Sequence, residues 1–414
     1  MKQEDRVVVV GSGIAGAACA ATLRERGYDG GVTVVRGEDA LPYNRTAVNT
    51  TMLSAGHSHV ELTLPEAQTP DVEWLARDEA EALDPARREV RLASGKLLRY
   101  RALVIATGVR ARPWPGSACP VPERVVTLRT SADAARMRSL LGWSGKPLGR
   151  HGRVIIMGAG FIGGETASLL SGAEVEVDLV ARQPVPMSDR LGRNAASWLL
   201  ERHNEHAHPH VGRTVAGWTS GEDRVMVRLD DGRRLAGDLL LVAAGSLPNT
   251  EWLQGSGLDV EDGVAVDPSL RAIGADGVYA AGDVARVATT PRARRTENWA
   301  SARAQGRHAA RSVLHDLGLG EAPGPFSELP VYTSKMYGTK LTLLGETGAG
   351  LRQTAIPGDV PGPPTTVFTD ERERLRGAVA MGVPQFEDSL VEAVRHRIPL
   401  SGLLPAAAVG KVHN

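Results

Sequence analysis

Two glycine clusters are the residues of this sequence best placed to do chemistry. Gly11-Ser12-Gly13-Ile14-Ala15-Gly16 and Gly158-Ala159-Gly160-Phe161-Ile162-Gly163 carry glycine at the first, third and sixth positions, 147 residues apart. That spacing lets backbone N–H groups and a helix N-terminus approach a pyrophosphate. One such cluster is weak evidence, because glycine-rich turns without ligand are common. Here both follow an apolar strand and open a helix, which is the context the dinucleotide fingerprint requires. The first is followed, 22 positions after Gly16, by Glu38, where a carboxylate can accept hydrogen bonds from a ribose diol. The second has no acid at the matching place. Its strand ends Leu179-Val180-Ala181-Arg182, and an arginine without an acid suits a 2′-phosphate. NADPH is therefore expected to bind at least as well as NADH, against the plainer reading of Arg182 as a solvated side chain.

The elements that must hold these clusters are legible around them. Arg6-Val10 reads as a buried strand, Ala17-Arg26 as an Ala-rich helix and Gly31-Val35 as a second strand, together one βαβ unit. Arg153-Met157, Gly164-Ser171 and Val175-Val180 repeat that order around the second cluster, in a repeat too long for a solenoid. Two further strands, Ala102-Ile105 running into Ala106-Thr107-Gly108 and Leu239-Val242 running into Ala243-Ala244-Gly245, each follow a hairpin-like stretch with turn residues. A β-meander is thus expected to close each lobe. Gly277-Val278-Tyr279-Ala280-Ala281-Gly282-Asp283 follows, with Asp283 expected where a helix begins, and then a helix from about Asn298 to Leu314. From about Phe326 the chain alternates like β-structure and ends on a helix near Glu387-His396. The expected fold is α/β: two Rossmann-like lobes, an FAD-type lobe made of 1–118 and 246–325 and a nicotinamide lobe of 119–245, plus a smaller C-terminal α+β domain, 326–414.

Composition removes several classes. The 414 residues carry 48 Lys+Arg and 48 Asp+Glu, and a zero balance argues against a general nucleic-acid binder or a polybasic membrane protein. No apolar run approaches the ~18 residues of a membrane-spanning helix. The polar start leads straight into Val7-Val10 with no signal-peptide layout, so a cytoplasmic protein is expected. Only 2 cysteines, Cys19 and Cys119, are present. They cannot form a C-x-x-C dithiol, a Cys-rich zinc site or a four-cysteine iron–sulfur cluster, and both read as packing residues. No metal site is expected: the histidines His203, His206, His208 and His210 read as surface residues in a loop around Pro209.

With Pro42-Tyr43-Asn44-Arg45, Leu128-Arg129-Thr130, Pro248-Asn249-Thr250, Ala281-Gly282-Asp283 and Glu297-Asn298-Trp299 added to the two glycine clusters and Ala106-Thr107-Gly108, the sequence resembles a known family. It is similar to the two-dinucleotide flavoprotein reductases, in the ferredoxin-reductase branch that includes putidaredoxin reductase and rubredoxin reductase. The resemblance implies FAD at the first cluster (Gly11, Gly13, Ala15, Gly16) and NADPH or NADH at the second (Gly158, Gly160, Ile162, Gly163, with Arg182 and Gly245). It implies further FAD contacts at Glu38, Arg45, Thr50, Ala80, Thr107, Gly108, Arg129, Gly282, Asp283 and Trp299. The implied reaction is hydride transfer from NAD(P)H, then electron delivery to an acidic [2Fe–2S] ferredoxin serving a P450 or oxygenase.

Two departures from the family pattern stand out. The family's Pro-Pro-Leu-Ser-Lys is here Thr46-Ala47-Val48-Asn49-Thr50, so Thr50 replaces a flavin-side lysine while its carboxylate partner remains as Glu165. A buried carboxylate without its cation is expected to have a raised pKa. Glu165 is accordingly a candidate catalytic group, as proton donor or nicotinamide-positioning acceptor, and Thr50, in the lysine's place, is the other catalytic candidate. Thr333 stands where the family has a flavin-side tryptophan. These losses support a first alternative, a flavoenzyme acting directly on a small organic molecule or oxygen. A second is an FAD-binding signalling or scaffold protein. Arg295, Arg303, Arg307 and Arg311 form a candidate docking stripe for the ferredoxin, or simply a solvated helix face.

Overall fold

Four consecutive valines cannot make an amphipathic strand; they suit one buried on both faces, as in a parallel sheet between helices. The computed structural model describes residues 6–114, 123–142, 152–288, 295–356, 364–382 and 388–403. In it Arg6–Val10 lies inside a five-stranded parallel sheet ordered Val278–Ala280, Ala102–Ile105, Arg6–Val10, Gly31–Val35, Val72–Leu75, with Val8 opposite both Thr33 and Leu103. The described residues contain seven α-helices: α1 (Ile14–Glu25), α2 (Thr51–Ala55), α3 (Ser131–Leu141), α4 (Phe161–Ser171), α5 (Ser188–His206), α6 (Trp299–Asp316) and α7 (Asp388–Arg395). They belong to two compact units. The first comprises Met1–Ala47, His57–Arg110 and Ser246–Glu328, the second Val48–Gly56, Ala111–Gly245 and Leu329–Asn414.

In the first unit α1 packs along α6, so closely that a Cβ on Gly306 would collide with the Ala15 carbonyl. Glycine is what permits this crossing. Ala15, Ala17, Ala18 and Ala20 make α1 a thin helix and are all buried. An antiparallel meander, Ala80–Asp84, Glu89–Leu92 and Leu97–Arg99, precedes the Ala102–Ile105 strand of the sheet, as its turn residues predict.

The second unit repeats the plan. Its parallel sheet runs His208–Val211, Glu176–Ala181, Arg153–Met157, Leu239–Val242, Val125–Val126, and its meander is Val215–Ser220, Val225–Leu229, Arg234–Gly237. The C-terminal strands form an antiparallel sheet ordered Val331–Met336, Thr339–Gly345, Leu375–Met381, Thr365–Thr369, Arg352–Ile356, with α7 packed on it. No described helix is long and apolar enough to cross a membrane.

Three local expectations are corrected. No helix begins at Asp283: the chain turns and enters the short strand Ala285–Val287, and the next described helix, α6, is capped instead by Asn298, whose Oδ1 accepts from the Ser301 N–H at 2.9 Å. His203 is a fully buried residue of α5, with its Nδ1 2.7 Å from the Tyr337 hydroxyl. His208 and His210 lie on a strand and not in a loop, because the sheet edge supplies them with parallel partners Asp178 and Val180. Cys119 lies outside the described residues; Cys19 is fully buried in α1, and burial pushes its thiol up to about 12, which suits packing.

Candidate functional site

Each glycine loop sits at the carboxyl end of a central parallel strand, where the order of the sheet reverses. Open α/β sheets bind ligands at that crevice. Gly11 and Gly158 have φ of 111° and 109°, in the left-handed half of backbone space. Both are locked by the neighbouring strand: a Cβ would collide with the Ala106 carbonyl at Gly11 and with the Ala243 carbonyl at Gly158. Gly16 and Gly163 each press on the carbonyl of the loop's own first glycine. By contrast nothing lies within 4 Å of a Cβ placed on Gly13 or Gly160. These two residues are the N-caps of α1 and α4, and neither helix has a side-chain cap. Each cradle thus leaves first-turn N–H groups facing open space, which fits an anionic pyrophosphate.

Around the first loop the remaining groups suit an FAD. Glu38 accepts hydrogen bonds from the Tyr43 hydroxyl at 2.9 Å and from the Arg45 guanidinium. Burial pulls the Arg45 pKa down, but Tyr43, Glu38 and Asp283 together raise it above its ordinary value, which gathers Glu38, Arg45 and Asp283 into one polar group. Arg45 also lies over the Tyr43 ring at 5.1 Å. Trp299, the first residue of α6, has a buried Nε1–H without a hydrogen-bond partner. A buried donor left unpaired costs free energy, and a polar ligand edge would satisfy it. Gly282 donates its N–H to Gln305 Oε1 at 2.8 Å, and a Cβ there would lie 2.8 Å from the Ala15 Cβ. Thr107 holds the Asn249 loop: its hydroxyl donates to the Asn249 carbonyl at 2.8 Å, and Asn249 Nδ2 donates to the Thr107 carbonyl at 2.9 Å. Gly108 follows with φ of 63°. Ala80 opens the meander and packs half-buried against the core.

Sequence reasoning missed two supports here. Arg36, buried just after the second strand, donates to the Asp39 and Ala40 carbonyls at 2.8 and 2.7 Å and so shapes the turn that carries Glu38. Gln305 was masked by its helical surroundings. A lone arginine after a strand, and a glutamine facing alanines, were the available signals.

In the second unit, Arg182 is exposed just past the Glu176–Ala181 strand, Ile162 is 37% exposed, and Gly245 has φ of 95°. Thr50 and Arg129 belong to this unit: Thr50 is the N-cap of α2, and Arg129 precedes the capping box that starts α3. Glu165, in the second turn of α4, is half-buried and accepts hydrogen bonds from Asn49 Nδ2 and Ser334 Oγ, both at 2.5 Å. Burial raises its pKa above the usual carboxylate range, and the two hydrogen bonds lower it only in part. The missing cation is thus replaced by two neutral donors that the sequence did not reveal.

The expected arginine stripe divides. Arg295 is held by Asp262 and Glu297, both at 2.8 Å, and by the Asp283 carbonyl at 2.9 Å, with its side chain 10% exposed. Arg303 pairs with buried Glu66 at 2.6 Å. Arg307 is exposed and its charge acts on Glu328, while Arg311 is half-buried; neither forms an ion pair among the described residues.

The sequence matches the family described as pyridine nucleotide-disulphide oxidoreductase over residues 5–306. It is 32% identical to an anthranilate 1,2-dioxygenase system ferredoxin–NAD(+) reductase component of Burkholderia cepacia, over 88% of this chain and 87% of that one. It is 29% identical to a benzene 1,2-dioxygenase system ferredoxin–NAD(+) reductase subunit of Pseudomonas putida, over 94% and 93%. Among solved structures it is similar to a covalent putidaredoxin reductase–putidaredoxin complex, with a TM-score of 0.85, 26% identity, and 95% and 94% of the two chains covered.

Proposed function

Because the chain belongs to the pyridine nucleotide-disulphide oxidoreductase family and carries both dinucleotide cradles, we propose that it takes electrons from NAD(P)H through FAD to an acidic [2Fe–2S] ferredoxin that feeds a P450 or oxygenase. FAD, when bound, supplies a centre that accepts two electrons at once and returns them singly. The protein's own contribution is placement: the first cradle with Glu38, Arg45, Asp283 and Trp299 holds one dinucleotide, and the second with Arg182 the other. The observation that carries the reading is the duplication itself, one loop geometry built twice down to the same φ and the same carbonyl contact. With no C-x-x-C pair in the sequence, no dithiol relay lies between flavin and acceptor. Relatives named as reductase components of dioxygenase systems support the ferredoxin as acceptor. We infer a cytoplasmic setting.

Thr50 and Thr333 favour a second reading, direct reaction with a small organic molecule or oxygen. Stopped-flow mixing of the purified yellow protein with NADPH or NADH, followed by ferredoxin plus cytochrome c, separates the readings. Fast flavin reduction with ferredoxin-dependent cytochrome turnover is expected. Fast reduction without that turnover supports the second reading, and very slow reduction supports a redox-sensing scaffold.

A further inference from the structure

Glu165 is the only charged residue of α4, and among the described residues no cation pairs with it. Its two partners are neutral and come from distant parts of the second unit, Asn49 ahead of α2 and Ser334 in the Val331–Met336 strand. The Val48–Gly56 segment holds no titratable side chain. It is pinned by Arg138 of α3, which donates to the Leu53 and Ser54 carbonyls at 2.7 and 3.2 Å. The segment that carries Asn49 is thus anchored by a cation that forms no ion pair with the Glu165 carboxyl.

The other charged or titratable groups on elements packed against α4 form no ion pair with Glu165: on α5, Asp189, Arg193, Glu201, Glu205 and His206 are exposed, and Arg202 pairs with Glu205 at 2.7 Å. His203 of α5 lies near Gly164 but is kept neutral, burial driving its pKa down to about 4, and Tyr337, which hydrogen-bonds it, is raised by burial. Lys335 is exposed, and strand alternation sends it to the face opposite Ser334. Arg190 lies over the Phe161 and Tyr332 rings at 5.5 and 5.4 Å. Asp178, Arg153, Glu176 and His210 form their own cluster.

A lysine beside Glu165 would favour only the ionised carboxylate. A serine hydroxyl can donate or accept, and an asparagine amide can turn either end, so this pair accommodates both protonation states. We propose that Asn49 and Ser334 are positioning residues that hold Glu165 as a carboxyl able to release and regain a proton beside the second glycine loop, so that the charge gained on ionising opposes the anionic dinucleotide there. The proton goes to and comes from water. The proposal rests on the reading that the second loop takes NAD(P)H.

The test is calorimetric titration of the holoenzyme from about pH 5 to 9, spanning the range of a raised carboxyl, with NAD⁺, which lacks the 2′-phosphate that would itself titrate near pH 6. Affinity is expected to fall about three- to fivefold as pH rises, the size of a unit-charge interaction in a partly solvated site. Glu165→Gln, nearly isosteric and checked for folding by its melting temperature, should flatten the profile. Ser334→Ala, which removes a donor that favours the ionised form, should move the midpoint up, and Asn49→Lys should move it down. An independent readout is the infrared band of a protonated carboxyl, which should titrate with the same midpoint and vanish in Glu165→Gln. Binding with no pH dependence, or an unchanged slope in Glu165→Gln, overturns the proposal alone. Absence of binding at every pH overturns the nucleotide reading as well, and the infrared band then still reports whether the carboxyl holds a proton.

Discussion

At the scale of single residues, nucleotide choice turns on Arg182. An exposed guanidinium at the end of the second strand can make charge-assisted hydrogen bonds to a 2′-phosphate, and no acid stands beside it to bind a ribose diol instead. The parent enzyme is expected to use NADPH at least as well as NADH in kcat/KM, although curated relatives are named for NAD(+). Arg182→Glu should lower the NADPH value about tenfold or more and spare NADH, as loss of one charge-assisted bond implies. A strong NADH preference in the parent would end the idea. Arg182 was legible because it stands directly after Leu179-Val180-Ala181, the apolar run that ends its strand. Asn49 and Ser334 were not, because two neutral residues 285 positions apart meet only through the fold.

At the scale of elements, the crossing of α1 and α6 and the buried carboxylate next to the edge strand of the second sheet can each be tested. Gly306→Ala places a methyl group where the Ala15 backbone lies, its Cα 3.0 Å away, so the helices must separate and disturb the first loop. A loss of about 1–3 kcal/mol in stability, the range for overpacking, is expected together with weaker FAD retention. Asp178 is buried mid-strand, its carboxylate receiving the Arg153 Nε–H at 2.6 Å and facing His210 Nε2 at 2.8 Å. Burial raises its pKa, but those partners outweigh it and hold it below the usual carboxylate range. A depressed carboxyl stabilises the fold above its unfolded pKa, about 3.9, and that share is lost as pH falls through its folded value. Asp178→Asn should therefore cost about 1–3 kcal/mol at neutral pH and make stability less steep in acid, measured by urea melts at several pH values. Val72–Leu75 and the two-residue Val125–Val126 carry no apolar run and were missed, whereas the central parallel strands, such as Arg6–Val10, Ala102–Ile105, Arg153–Met157 and Leu239–Val242, were plain from theirs. The strand through His208 was not, since its polar residues gain a strand conformation only from pairing with Glu176–Ala181.

At the scale of the whole molecule, 48 basic and 48 acidic residues cancel, so the proposed attraction of an acidic ferredoxin cannot come from net charge and must come from a local face. The regular spacing of Arg303, Arg307 and Arg311 on one helix suggested that face, yet spacing could not tell which of them the fold already engages. Arg295 and Arg303 neutralise acids of the first unit, Arg311 is half-buried, and Arg307 is exposed. Arg307→Glu reverses the sign at the more exposed of the two. Ferredoxin-dependent cytochrome c reduction by this variant is expected to slow several-fold at low ionic strength and to converge on the parent rate as salt screens the face within about 10 Å at 0.1 M. Ferricyanide reduction in the same samples serves as the comparison with a small acceptor. Equal salt dependence in parent and variant would move the docking face elsewhere on the molecule.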